Sequence, residues 1–408
     1  MGLKFARGQP FKTIVQIQVA IALLLFAEGC SLGLRKSADE ADAGDAGTSE
    51  ATGCAQGARV CFGEPSSNFV SWGLTSISVR EPLLRGALPT VFVSSNGTSK
   101  VFQLEPASTS LETVDFFKAA VAPWQTASID FDLDGIEDLA VASPGKQSHL
   151  GEVSFWNRVS ERWSLAGSLT IGLGTYSVGT RNSATAEAVF AIAASYDAQS
   201  LVPLIAHKGA VPTAGTSISL DLKPTALAFG KVTGQENRLY VIGDGSNHGK
   251  LVEFEVQDRS VTKISKSPEF GHSLNDLRVG DLNNDSMLDA IAIDDSAASS
   301  LYSLISDANH NWTVAYQLPL PAYSHAGVLD DFDRDGLLDV AVISGSTNTI
   351  RMCFGDGHGA FGKCLELLHG LEQATNIASV DLNSDNWKDL AVVSFEGKMA
   401  VLHAHAVE

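Results

Sequence analysis

Oxygen-bearing side chains recur at one fixed spacing in four places. Asp130, Asp132, Asp134 and Asp138 form the first set; Asp281, Asn283, Asp285 and Asp289 the second; Asp331, Asp333, Asp335 and Asp339 the third; Asp381, Asn383, Asp385 and Asp389 the fourth. Each set fills positions 1, 3, 5 and 9 of a short loop. Carboxylates and amide oxygens this close in sequence are the donor set of a hard cation, since Ca²⁺ takes six to eight oxygens at about 2.3–2.6 Å and accepts main-chain carbonyls among them. Position 7 would supply that carbonyl, from Ile136, Met287, Leu337 and Trp387. Each loop then reads as a self-contained calcium site, with up to four structural ions in the chain. Position 6 is Gly135, Ser286, Gly336 and Asn386, and the sharp turn there calls for φ > 0, which Gly and Asn tolerate better than Ser.

An EF-hand also begins with this spacing, but it needs a bidentate Glu at position 12. Here position 12 is Val141, Ala292, Val342 and Val392, which excludes it. Position 9 opens an apolar, β-branched run instead, for example Leu139-Ala-Val141-Ala and Val340-Ala-Val-Ile343. Such runs read as buried strands.

The loops beginning at Asp281, Asp331 and Asp381 start fifty residues apart. The same interval finds worn copies at 230–238 and 180–188, and a last one ending in Thr90-Val-Phe-Val93; these keep the strand and lose the carboxylates. The register gives seven units. Within each, a loop leads to a buried strand, a second strand such as Thr349-Ile-Arg-Met-Cys353, a polar turn, and an aromatic that opens a third strand. The turn and aromatic read Gly355-Asp-Gly-His-Gly-Ala-Phe361, Ser306-Asp-Ala-Asn-His-Asn-Trp312 and, more loosely, 157–163. A fourth strand, as in Leu277-Arg-Val-Gly280, leads into the next loop, which places each loop between two units. Four short strands per unit of about 40–50 residues predict an all-β, seven-bladed β-propeller. The last unit is truncated, and the N-terminal segments 68–72 and 76–79 are expected to complete it as third and fourth strands.

The acidic loops and the Gly-Asp-Gly-x-Gly-x-Phe turn resemble FG-GAP/VCBS repeats, as found in integrin α-subunit propellers and in many bacterial surface proteins. The resemblance covers roughly residues 62–408 and is specific in four of seven blades. It implies calcium at positions 1, 3, 5, 7 and 9 of the intact loops and a rim that binds partners. No partner motif is visible.

Residues 1–29 have a cationic start (Lys4, Arg7, Lys12) and an apolar run from Val19 to Ala27, the proportions of a secretory signal and too short for a comfortable membrane span. Cys30 follows a small residue and resembles the lipidated cysteine of a bacterial lipobox, although Ala27-Glu28-Gly29 departs from the commoner form. The expected location is the outer membrane or cell surface as a lipoprotein, with a periplasmic or secreted protein as the alternative. Residues 30–53 carry Asp39, Glu40, Asp42, Asp45 and Glu50 in a stretch from 37 onward that lacks aromatic and large aliphatic residues, which marks a disordered tether. The propeller is assigned to 54–408. Setting Cys30 aside, Cys54, Cys61, Cys353 and Cys364 are an even set in an exported chain and suggest disulfides. Proximity favours Cys54 with Cys61 and Cys353 with Cys364, although four cysteines allow three connectivities.

The formal net charge of −19 argues against nucleic acid or an anionic membrane surface as the partner, leaving a lipid anchor as the one expected membrane contact. The loops hold four, three, four and three carboxylates at ligand positions, so calcium would neutralise much of that charge. No catalytic motif is present, and no enzyme is expected. His403 and His405 lie two apart on a terminal strand and could share a face; His310 and His358 sit in turns read as equivalent. Asp294, Asp295, Asp330 and Glu137 are the acids left for a polysaccharide lyase or glycoside hydrolase. Of the tryptophans Trp72, Trp124, Trp156, Trp163, Trp312 and Trp387, most are assigned to packing. The expected function is that of a monomeric, calcium-binding, surface-tethered scaffold for binding or adhesion to a protein or glycan. A carbohydrate-active enzyme or lectin on the same propeller is the alternative.

Overall fold

The computed structural model describes residues 59–82, 87–107, 110–119, 122–145, 150–181, 187–230 and 235–407. The signal, the tether, the lipobox cysteine Cys30 and Cys54 lie outside the described residues. Among the described residues every element is a strand, and no helix is long and apolar enough to cross a membrane.

The strands form seven four-stranded antiparallel sheets, the blades of a propeller. From axis to rim, blade 1 is Leu74–Arg80, Thr90–Ser95, Lys100–Pro106 and Leu111–Lys118. Blade 2 is Gln125–Ile129, Asp138–Ser143, Gly151–Val159 and Arg162–Gly172; blade 3 is Thr175–Thr180, Val189–Ser195, Ser200–His207 and Ala210–Ala214, with Ile218–Ser219 added beside its third strand. Blade 4 is Lys223–Phe229, Arg238–Asp244, Gly249–Gln257 and Ser260–Lys266, and blade 5 is Leu274–Gly280, Asp289–Asp294, Ser300–Ser306 and Trp312–Pro319. Blade 6 is Ser324–Asp330, Asp339–Ser344, Thr349–Gly355 and Phe361–Leu368. Blade 7 takes Ala374–Val380, Asp389–Ser394 and Lys398–Leu402 from the C-terminal end and Ser66–Phe69 from the N-terminal end. The innermost strands touch in a closed cycle, blade 7 against blade 1 included.

N-terminal closure is as expected, but its strand assignment differs. Ser66–Phe69 is the single strand that completes blade 7, against Lys398–Leu402, while Val60–Phe62 pairs separately with Ala404–Ala406. Ser76–Val79 lies in the innermost strand of blade 1. The same shift moves every acidic loop from between blades to within one blade. The strand before each loop pairs directly with the strand after it, in one common register: Ile129↔Asp138, Gly280↔Asp289, Asp330↔Asp339 and Val380↔Asp389. A loop this short turns the chain back on itself, so its flanks become hairpin partners.

The second strands are buried on both faces, hence their unbroken apolar runs. Outer strands alternate, as in Phe361–Leu368, because one face meets water. The core is a set of wedges between blades rather than a single centre. One wedge joins Leu74, Val91 and Phe102 of blade 1 to Val380, Val393 and Val401 of blade 7. Burying each such aliphatic side chain contributes about 1.5–3 kcal/mol.

Two polar devices repeat between the wedges. In six blades the pairing of the first two strands slips by one residue near the start, at Thr75, Tyr176, Thr225, Asn275, His325 and Thr375. Three of these residues tie to the next blade: Thr75 Oγ1 donates to the Pro123 carbonyl (3.1 Å), Asn275 Nδ2 to that of His325 (2.8 Å), and Thr375 Oγ1 to that of Leu74 (3.0 Å). The last bond closes the ring by the same means as the others. Further out, the indole of Trp163 donates to Gln103 Oε1 of the preceding blade (2.9 Å) and packs on Phe92, while that of Trp312 donates to Glu253 Oε2 (3.1 Å) and packs on Tyr240. In blade 6 the opening aromatic is Phe361, with no N–H to place.

Cys353 and Cys364 stand opposite each other on the third and outermost strands of blade 6 and form a disulfide. Cys61 is also disulfide-bonded; its expected partner Cys54 lies outside the described residues.

Candidate metal centres

The four acidic loops share one backbone. Position 6 lies in the left-handed region in all of them, with φ of 86° at Gly135, 69° at Ser286, 88° at Gly336 and 65° at Asn386. Position 4 does so as well, at Leu133, Asn284, Arg334 and Ser384, with φ between 59° and 62°. The glycines at position 6 have nothing within 4 Å of an added Cβ, so backbone conformation rather than crowding selects glycine there. Position 4 carries no such sequence signal, because Leu and Arg do not announce a left-handed turn.

Backbone N–H groups converge on the position-1 and position-5 carboxylates. Asp331 accepts from Asp335 N and Gly336 N, each at 3.0 Å, and Asp281 accepts from Asp285 N and Ser286 N at 3.2 and 2.8 Å. Asp130 does the same with Asp134 N and Gly135 N, and Asp381 takes Asn386 N. The position-7 N–H groups of Ile136, Met287, Leu337 and Trp387 donate to the position-5 carboxylates at 2.7–2.9 Å.

Position 9 has a second duty that its place in the motif did not reveal. Asp138, Asp289, Asp339 and Asp389 are buried at the mouth of the second strand. In the last three, Oδ2 accepts from the N–H of position 2 (Leu282, Phe332, Leu382), and Oδ1 accepts from the far end of the third strand (Ser306, Gly355) or, in blade 7, from Ala404 just beyond that strand, all at 2.8–3.0 Å. The carboxylate staples loop, second strand and third strand together. The turn between third and outermost strands of the next blade then clasps the loop from outside: Gly359 N donates to the Leu282 carbonyl, and Gly209 N to that of Asp132.

Whether the loops fit a cation is decided by the oxygens left over. Asp130, Asp132 and Asp138 bring carboxylate oxygens within 4.8 Å of one another, as do Asp331, Asp333 and Asp335. Asp132 Oδ1, Asp138 Oδ2 and Asp381 Oδ1 are buried with no hydrogen-bond partner, and an uncompensated buried carboxylate oxygen is costly. The donor set and these orphaned acceptors fit a hard cation. Burial, and then the neighbouring carboxylates, push Asp138 up to about 7. Burial likewise pushes Asp289 and Asp339 to about 7, against the backbone N–H groups they accept. Asp132 and Asp333 are raised by the same desolvation and by Asp134 and Asp335 respectively.

The remaining sequence candidates are not brought together. His403 Nδ1 sits 3.1 Å from Asp389 Oδ2, while His405 lies on the exposed terminal strand opposite Cys61, so the two do not form one pair. His310 and His358 are not equivalent. Asp307 accepts from Asn309 N and Asn311 N, and Asp356 from His358 N and Ala360 N, which matches His358 to Asn309 and His310 to Gly359. His310 therefore occupies a left-handed glycine position, φ 59° against 90° at Gly359, and turns its ring to the buried Glu253, 3.1 Å away. Asp294 accepts His272 N and Ser296 N, Asp330 accepts Ser379 Oγ, and Glu137 faces Arg80. Trp156 and Trp312 are buried; Trp72 is 63% exposed and meets Phe69, itself 56% exposed, edge to face at 5.6 Å.

Residues 331–392, the acidic loop of blade 6 through the second strand of blade 7, match the FG-GAP-like repeat. The chain is a seven-bladed β-propeller that carries an FG-GAP-like repeat. No curated protein matches it. Among solved structures it is similar to a functionally unknown protein from Desulfotomaculum acetoxidans (10% identity, TM-score 0.53, covering 73% of this chain and 90% of that one). It is also similar to a putative 6-phosphogluconolactonase from Bacteroides uniformis (11%, 0.53, 72% and 85%) and to BBS1N in complex with ARL6DN (10%, 0.54, 82% and 93%). At these identities the likeness is one of fold.

The carboxyl shifts set a pH dependence for the metal-free propeller. Asp138, Asp289 and Asp339 keep their protons up to about pH 7 when folded and only to about pH 4 when unfolded. The fold thus binds more protons across that window, and stability falls as pH rises through it. Two buried imidazoles oppose this lower down: burial pushes His369 down to about 4 and lowers His325, so each costs stability as pH falls below about 6.5. In chelator, the melting temperature should change little between pH 8.5 and 7.5 and then rise as pH is lowered from about 7 towards 5, with the two imidazoles offsetting part of the gain below about 6.5. A melting temperature that falls steadily as pH is lowered from 7.5 to 5 would contradict this assignment.

Proposed function

We propose that this protein is an exported, surface-tethered binding propeller whose acidic loops each hold a Ca²⁺ ion and whose rim or face carries a protein or glycan. An FG-GAP propeller supports a binding scaffold in general, and the buried, unpartnered oxygens of Asp132, Asp138 and Asp381 are the observation that carries the cation. Bound there, the ion supplies the positive charge those oxygens lack. Positions 1, 3, 5 and 9 would hold it through side chains, and Ile136, Met287, Leu337 and Trp387 through carbonyls. The role is structural: the position-9 carboxylates also staple strands, so filling the site stiffens its own blade.

A ligand that binds only the native state adds about 2.7 kcal/mol per site at a hundredfold excess over Kd. Calcium should raise the melting temperature and reverse the pH trend above, because protons and the ion compete for the same oxygens. Loops 130–138 and 331–339, with four carboxylates and a position-6 glycine, should fill first, 381–389 next and 281–289 last, where Ser286 carries the left-handed strain. Calorimetric titration of the wild type and Asp335→Ala tests this, with one ion fewer expected in the variant. Hydrogen exchange with chelator should deprotect the hairpins of blades 2, 5, 6 and 7 more than those of blades 3 and 4; uniform protection would count against a structural ion.

The lipid anchor has its own test. If the mature chain begins at an acylated Cys30, Cys30→Ser moves the protein from the membrane to the soluble fraction; a wild-type N-terminus without acyl mass refutes the anchor.

Of the two ligand classes, a glycan is favoured by the exposed Trp72 and Phe69 pair, since sugar rings stack on such faces. A binding reading is preferred to a lyase or hydrolase because Asp294, Asp330 and Glu137 are each engaged in separate local contacts. A glycan array should show binding that Trp72→Ala weakens about tenfold, the loss of roughly 1.4 kcal/mol. Turnover of an acidic polysaccharide would reverse the preference.

A further inference from the structure

The loops of blades 6 and 7 are joined by one side chain. Arg334, position 4 of loop 331–339, is held by a left-handed backbone with φ of 59°. Its guanidinium carbon lies 3.8 Å from the centroid of the Trp387 ring, and Nη2 donates to the Asp385 carbonyl at 3.4 Å. Trp387 and Asp385 are positions 7 and 5 of loop 381–389, and they are already bound to each other by Trp387 N–H donating to Asp385 Oδ1 at 2.7 Å. Arg334 therefore braces two residues of the neighbouring loop: one offers a carboxylate to the cation, the other a main-chain carbonyl. Position 4 of loop 130–138 is Leu133, packed against the core shared by blades 2 and 3. That loop has no counterpart of the brace, and blade 3 beside it lacks the carboxylates.

We propose that the cation sites of blades 6 and 7 form a positively coupled pair, linked by Arg334 stacked on Trp387, while the site of blade 2 binds independently. This rests on the reading of the loops as cation sites. The mechanism is pre-organisation. An ion in loop 331–339 fixes the positions on either side of Arg334, from Asp331 to Asp335, and so fixes where the guanidinium projects. That in turn fixes the Trp387 peptide and the Asp385 carboxylate before the second ion arrives, and less ordering remains to be done. By linkage the effect is reciprocal. Electrostatics act in the other direction: the first ion neutralises carboxylates that would attract the second, although screening over about 8–10 Å limits this term. The two contributions separate when Arg334 is removed, because only the electrostatic one survives.

Terbium, a hard trivalent stand-in for calcium, reads out loop 381–389 selectively. Trp387 is the one indole within an acidic loop, so emission sensitised through it reports that site, and its disappearance in Trp387→Phe identifies the signal. Asp335→Ala disables loop 331–339, and Arg334→Ala removes only an exposed side chain. Each should raise the terbium concentration for half-saturation of the Trp387 signal by about fivefold or more. The double variant should be no worse than the single ones, since both break the same link. Asp134→Ala, in blade 2, should leave it unchanged. Half-saturation in both single variants within about twofold of the wild type, or additive losses in the double variant, would overturn the coupling. No sensitised emission in the wild type would instead overturn the cation reading beneath it, and the coupling with it.

Discussion

Two-sided burial of the second strand in each blade is the constraint from which most of this molecule follows. Asp339–Ser344 and its counterparts bury both faces against neighbouring blades, so no blade satisfies itself and the ring has to close. A carboxylate at the mouth of such a strand is taken out of water with it. Asp289 and Asp339 recover part of that cost by accepting two backbone N–H groups each, and what remains appears as a proton affinity raised to near neutrality. The acidic loop is the means by which a buried strand end stays polar, and a cation is the natural counter-charge for it.

The blades that lack the loop meet the same constraint without a carboxylate. Strand pairing sets Thr90, Phe190 and Arg238 of blades 1, 3 and 4 where the other blades have Asp. The hydroxyl and the apolar ring need no counter-ion, and Arg238 has one in Glu255 on the adjoining strand. The propeller thus uses two solutions to one problem; charged loops stand side by side in blades 5, 6 and 7, and the Arg334 brace joins the last two.

Much of this was legible in the residues. The spacing of Asp281, Asp331 and Asp381 carried the repeat, and the apolar runs after position 9 carried the buried strands. What was misplaced was the boundary of the unit, because a repeat has no natural start: a loop between blades and a loop within a hairpin give the same periodicity. Only the pairing of Gly280 with Asp289 decides between them. The left-handed turn at Leu133 and Arg334, the glycine role taken by His310, and the indole of Trp163 reaching Gln103 sixty residues back depend on backbone angles and distant neighbours that no local window contains.

The seam of the ring joins Thr375 to Leu74 across 301 residues, and the outermost strand of blade 7 comes from the first part of the chain. Bringing the ends of so long a segment together carries a large loop-closure entropy before any contact at the seam repays it, and high contact order slows folding. A nascent chain holds Val60–Phe62 and Ser66–Phe69 without their partners until the last strands emerge. These two strands wait longest of all, and a holding factor that shields unpaired edges would act on them first.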